Sequence, residues 1–203
     1  MRQQNSTTYD AMQHQTLCQQ QQATHRRKLA HAQGKKGLLL VITGNGKGKT
    51  SSAFGMAVRA VGHGMKVGIV QFIKSQQNTA ETRVFAQFPN VIFKVIGDGF
   101  TWDTQNREHD IKTAECAWQT AVAMMADCDM LILDELNIVL HYQYLDLFRV
   151  LNVFAQRAAM QHIIVTGRHA PPALLAQADL VSTVESSKHP FEQGIQAQKG
   201  IEF

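Results

Sequence analysis

From Gly37 onward, short apolar runs alternate with stretches of helical period, and turn residues separate them. Leu38–Thr43 is a compact apolar run and predicts a buried strand. Thr50–Val61 has helical composition, with Gly62 and Gly64 as a stop. The same reading gives a strand at Val67–Ile73, a helix at Thr79–Phe88 and a strand at Val91–Ile96. A loop over Gly97–Asn106 leads into a helix at Glu108–Ala126, where apolar residues recur every three or four positions. Trp118, Met124 and Met125 fall on this period and read as core. Met130–Leu133 predicts a strand that ends in Asp134 and Glu135, and helical segments fill Leu136–Ala159. His162–Thr166 is a strand, Pro171 opens a short helix, and Leu180–Val184 is a last core strand. Short apolar strands separated by helices imply a parallel sheet covered on both faces.

The first 36 residues follow a different pattern. Eight glutamines lie between Gln3 and Gln22, so residues 1–24 are expected to be largely disordered. Residues 25–36 are basic and predict a short helix stopped by Gly34. The formal charge of +4 belongs to this head. Residues 1–36 carry six Lys/Arg against one acid, Asp10, whereas the body, 37–203, carries fourteen against fifteen. A near-neutral body weakens any case for a nucleic-acid-binding face. Apolar runs such as Leu38–Ile42 are far below the roughly 20 residues of a membrane span, and the N-terminus lacks an apolar signal region. Three widely spaced cysteines fit neither a disulfide framework nor a zinc ribbon. The expectation is a cytoplasmic protein with one domain at 37–203 behind an N-terminal extension at 1–36.

The chemistry concentrates at the end of the first strand. Leu38–Thr43 runs into Gly44, Asn45, Gly46, Lys47, Gly48, Lys49 and Thr50, and then into a helix. Strand, glycine-rich loop and helix form the context of a P-loop, in which backbone N–H groups surround a polyphosphate. The helix N-terminus adds unsatisfied donors and partial positive charge. Lys49 is placed to reach phosphate oxygens and the Thr50 hydroxyl to meet Mg²⁺ (or Mn²⁺). Thr43 stands where the common motif has its first glycine. The acids that close Met130–Leu133 make a second, Walker-B-like element, with Asp134 or Glu135 toward the metal. The predicted fold class is therefore α/β, a P-loop NTPase-like (RecA-like), mostly parallel sheet with helices on both faces. Arg168 follows the strand His162–Thr166, at the sheet edge where open α/β folds bind ligands.

Residues 43–64, TGNGKGKTSSAFGMAVRAVGHG, resemble the signature of the P-loop ATP:corrinoid adenosyltransferases. The resemblance continues through Val70–Lys74, Gly99–Asn106, Leu133–Leu136, Thr166–Arg168 and the tail from Lys188 to Phe203. Thr43 before the loop is typical of that family, whereas Asn137 stands where a threonine is common. The resemblance implies transfer of the 5′-deoxyadenosyl group of ATP to the Co(I) centre of a corrinoid, with release of tripolyphosphate. It implies Lys49 and Arg168 as counter-charges for the leaving group and Arg59 near the nucleotide. It gives Phe100 and Trp102 the role of displacing the lower axial ligand of cobalt. It further implies a homodimer, a flavoprotein reductant, and a 25–36 helix acting as a lid. The competing reading is a RecA-class P-loop ATPase acting on nucleic acid, which the neutral body disfavours.

Overall fold

The computed structural model describes residues 11–73, 79–97 and 106–202. The chain divides after Lys35 into an N-terminal unit and a body that begins at Lys36. Among the described residues, the N-terminal unit contains one helix, α1 (Ala11–His31). The expected disorder of residues 1–24 therefore does not hold from Ala11 on. Glutamine, alanine, methionine and leucine are good helix formers, and no glycine or proline intervenes before Gly34. Low hydrophobicity argues against a core here but not against a helix. Lys28 and His31 lie in the last turn, where positive charge complements the helix dipole.

The body is built on six parallel strands: β1 (Leu39–Thr43), β2 (Val67–Gln71), β3 (Val91–Val95), β4 (Met130–Asp134), β5 (His162–Thr166) and β6 (Leu180–Thr183). They lie in the order β3-β2-β4-β5-β1-β6, and every pairing is parallel. Parallel neighbours need crossovers. These contain α2 (Lys49–Gly62), α3 (Ala80–Phe85), α4 (Arg107–Met125), α5 (Leu136–His141), α6 (Leu147–Ala155) and α7 (Pro172–Gln177). Alternate strand residues enter two separate cores, as side chains on opposite faces of a pleated strand must. Leu39, Val41, Leu131, Leu133, Ile163 and Val165 pack with Trp118 and Met124 of α4 and Phe154 of α6. Leu40, Ile42, Ile132 and Ile164 pack instead with Ala53, Phe54 and Ala57 of α2 and with Phe85. This is the expected α/β, RecA-like class. One strand, β5, stands between the phosphate-loop strand β1 and the acidic strand β4.

The helical segments expected over Leu136–Ala159 are α5 and α6, with Gln143 in the left-handed region (φ 56°) at the break between them. One local expectation needs correction. The last strand, β6, is not a core strand. Among the described residues it pairs only with β1, and Leu180 and Val181 are 43% and 45% exposed. Among the described residues no α-helix follows β6, only a short 3-10 helix at Pro190–Gln193, so the apolar pattern that marked it as core lies on a sheet edge.

Candidate functional site

The site forms along the C-terminal edge of the sheet. Each of four neighbouring strands ends in a polar residue: Gln71 on β2, Asp134 on β4, Thr166 on β5 and Thr43 on β1. Register makes them neighbours, since Gln71 pairs with Asp134 and Thr166 with Ile42. Asp134 is fully buried, and its carboxylate accepts hydrogen bonds from Thr50, Thr166 and Gln71. The Thr50 hydroxyl donates to its Oδ1 at 2.8 Å, the Thr166 hydroxyl to the same oxygen at 2.6 Å, and Gln71 Nε2 to Oδ2 at 2.7 Å. Thr166 Oγ1 in turn accepts from the Glu135 backbone N–H at 3.1 Å. A buried carboxylate needs such partners. Here they tie the first turn of α2 to the acidic strand.

The phosphate loop runs from Gly44 to Gly48, and α2 begins at Lys49. Gly44 and Gly48 have φ of 97° and 108°, a region that side chains disfavour. A Cβ on Gly44 would collide with Val184 O, and one on Gly46 would lie 2.5 Å from Glu185 O. The loop is thus packed against the chain leaving β6. Gly46 N–H donates to Val184 O at 2.7 Å, so this amide is not one of those left for a polyphosphate. Gly48 caps α2 without any side-chain hydrogen bond, which leaves the first-turn donors to a ligand. Asn45 and Lys47 are exposed, and Lys47 Nζ pairs with Glu202 Oε2 at 2.8 Å. Thr43 has a structural reason to replace glycine: its Oγ1 accepts from the Ala170 N–H at 3.3 Å and joins β1 to the loop after β5.

Lys49 is 8% exposed, and its Nζ donates to Gly46 O at 2.6 Å. Burial pushes its ammonium below the usual lysine range. Glu135 opposes the shift most strongly, Arg168 and Lys47 add to it, and Asp134 opposes it weakly. The two acids therefore divide: Asp134 holds the Thr50 hydroxyl, and Glu135 supplies the larger field at Lys49. Glu135 adopts φ 65° as the cap of α5. Gly167 follows β5 with φ 124°, and a Cβ on it would lie 3.1 Å from Glu135 Oε2.

Lys49, Thr50, Asp134, Glu135 and Arg168 are therefore brought together. Arg59 is not: it sits exposed in the last turn of α2, about 15 Å along the helix axis from Lys49. Phe100 and Trp102 lie outside the described residues. Sequence reasoning had no role for Gln71, Thr166 or Glu202. The first two carry only a weak signal, a polar residue closing an apolar strand, whose meaning depends on the strand order. As a set, these groups offer a cationic cradle for a polyphosphate next to hard oxygen donors.

Comparison with known proteins follows this geometry. Residues 35–203 match the family model described as ATP:corrinoid adenosyltransferase BtuR/CobO/CobP. A corrinoid adenosyltransferase of Pseudomonas aeruginosa is 51% identical over 193 residues, spanning 94% of this chain and 95% of that protein. One from Escherichia coli K12 is 46% identical over 178 residues, 87% of this chain and 90% of that protein. One from Sinorhizobium sp. is 40% identical over 199 residues, 96% and 93%. Among solved structures, domain III of the Thermotoga maritima replication initiation protein DnaA aligns with a TM-score of 0.41 at 12% identity, covering 85% of this chain and 65% of that one. The family match runs through the phosphate loop, the acidic strand and the Arg168 loop alike, and this chain belongs to the ATP:corrinoid adenosyltransferase BtuR/CobO/CobP family.

Proposed function

We propose that this chain transfers the 5′-deoxyadenosyl group of ATP to the Co(I) centre of a corrinoid. The cobalt electron pair attacks C5′ to form a cobalt–carbon bond. The C5′–O bond breaks, and its electrons leave with tripolyphosphate. The observation that carries the reading is the phosphate loop, with Lys49 and Asp134 at its base, in a chain that matches this family over 35–203. The phosphates are the leaving group, so the residues around them need only position C5′ and receive charge. Lys47 lies within the loop and Lys49 at the start of α2, Arg168 lies in the chain that follows β5, the strand beside β1, and α2 presents its first-turn amides. Arg168 has a fork suited to phosphate oxygens.

The donor set also fits Mg²⁺. Thr50 Oγ1 and the Asp134 carboxylate are hard oxygen ligands held 2.8 Å apart. Gln71 Oε1 is buried beside them with no hydrogen-bond partner among the described residues. Thr50 and Asp134, with Glu135 adjacent, are the residues that would hold the ion. When bound, it would neutralise phosphate charge. Phe100 and Trp102 are assigned to displacing the lower ligand of cobalt and residues 25–36 to a lid, whereas Arg59, exposed in the last turn of α2, is not assigned to the phosphate site. A cytoplasmic homodimer served by a flavoprotein reductant completes the proposal, supported by the family resemblance. A nucleic-acid-dependent ATPase is not favoured, because the body is nearly neutral and the relatives are corrinoid adenosyltransferases. The test is to mix reduced corrinoid, ATP and Mg²⁺ with the protein and follow the spectrum. Conversion to the alkylated corrinoid is expected, at rates that rank cobalamin against incomplete corrinoids. A spectrum of unalkylated corrinoid throughout would overturn the assignment.

A further inference from the structure

Arg168 is held from both sides by one face of α5. On its N-terminal side, Gly167 O accepts from Asn137 Nδ2 at 2.9 Å. On its C-terminal side, the His169 ring stacks on the His141 ring, with centroids 4.6 Å apart and planes 27° from parallel. Asn137 and His141 are four residues apart on α5 and so share a face. The two loop residues they hold are the immediate neighbours of Arg168. Both imidazoles are exposed, so core packing does not account for their stacking. The backbone at both points is unusual, with φ of 124° at Gly167 and 57° at His169. A non-glycine residue keeps a left-handed conformation only when its surroundings fix it. Downstream, the Ala170 N–H is tied to Thr43 Oγ1. The first residue before α5 is Glu135, so the clamp joins the acid and the arginine that act on Lys49 into one unit.

The geometry points to His141 and His169 as positioning residues for adenosyl transfer. Their stacked rings fix the loop that aims Arg168 at the triphosphate. This rests on the reading of Arg168 as a counter-charge for the leaving group. Displacement of such a group by about 1 Å can cost up to about a hundredfold in rate.

The test compares kcat and KM for ATP and corrinoid in the full chain, with melting temperatures alongside. The variants are His141→Ala, His141→Phe, His169→Asn, Arg168→Ala and the double variant His141→Ala/Arg168→Ala. Asparagine tolerates the left-handed backbone, so His169→Asn removes the ring without adding strain. His141→Ala and His169→Asn are expected to lower kcat about tenfold or more, with KM for corrinoid and the melting temperature little changed. His141→Phe retains a flat ring and is expected to restore most of kcat. In the Arg168→Ala background, His141→Ala is expected to cost nothing further. A damaged Arg168→Ala beside an unaffected His141→Ala overturns the clamp alone, as does full additivity in the double variant or failure of the phenylalanine rescue. A wild-type kcat for Arg168→Ala overturns the counter-charge reading and the clamp with it.

Discussion

Lys49 pairs its buried ammonium with the Gly46 carbonyl and leans on the fields of two acids. Its lowered pKa makes a claim about stability with a definite sign. Between that lowered value and 10.5, the unfolded chain binds the proton and the folded chain does not. Stability from this group therefore rises with pH across that window. Denaturant midpoints measured from neutral pH up to 10.5 are expected to show the rise in wild type and lose it in Lys49→Met. An equal rise in both would place the effect elsewhere. For catalysis, Lys49→Ala is expected to lower kcat about 10²–10³-fold, as loss of a donor to developing charge does. Thr50→Val and Glu135→Gln are expected to weaken the dependence of turnover on Mg²⁺, read by titrating the ion at saturating ATP. Unchanged titrations would remove both residues from the metal site. Lys49 and Thr50 were legible in the sequence because their spacing from the glycines has a fixed mechanical purpose. Gln71 and Thr166 were not, because a polar residue closing an apolar strand usually marks only the strand's end. Strand order alone shows that these two ends meet at Asp134.

The strands and helices of the body were mostly legible because apolar runs and turn residues alternate so regularly. Position in the sheet was not. β6 has the apolar character of a core strand yet lies on an edge, held by β1 and by Asp179 at its start. Asp179 Oδ2 accepts from the Leu39 N–H at 2.9 Å, while Lys36 pairs with Oδ1 and Arg157 lies 3.6 Å from Oδ2. Hydrogen bonding from Lys36, then from the Leu39 amide, holds this carboxyl below its ordinary range. Its contribution is present above pH 3.8 and is lost as pH falls through the lowered value. Asp179→Ala is expected to destabilise the body by about 1–3 kcal/mol at neutral pH, measured by denaturant unfolding, with the difference shrinking in acid. A neutral substitution would mean that the β1–β6 pairing alone secures the edge. The helix α1 was half legible. Its basic end predicted a helix, but the glutamines ahead of it continue the same helix, so the two stretches cannot be separated as elements. The proposed role of residues 25–36 is therefore tested by removing 1–35 whole, which leaves the Lys36–Asp179 pair of the body in place. Turnover is expected to fall while the melting temperature of the body holds, and full turnover would end that proposal.

For the whole molecule, the uneven charge and the family match both favour one substrate pair over a nucleic-acid partner. The basic excess lies in residues 1–36 and leaves the α/β body near neutrality. No helix among the described residues is long and apolar enough to cross a membrane. The central claim is that the triphosphate departs intact because cobalt attacks C5′ rather than a phosphorus atom. Phosphorus NMR of a reaction containing Co(I) corrinoid, ATP and Mg²⁺, read together with the corrinoid spectrum, tests this most directly. The account predicts one tripolyphosphate for each cobalt–carbon bond formed. Orthophosphate and ADP, released without alkylation of cobalt, would contradict it.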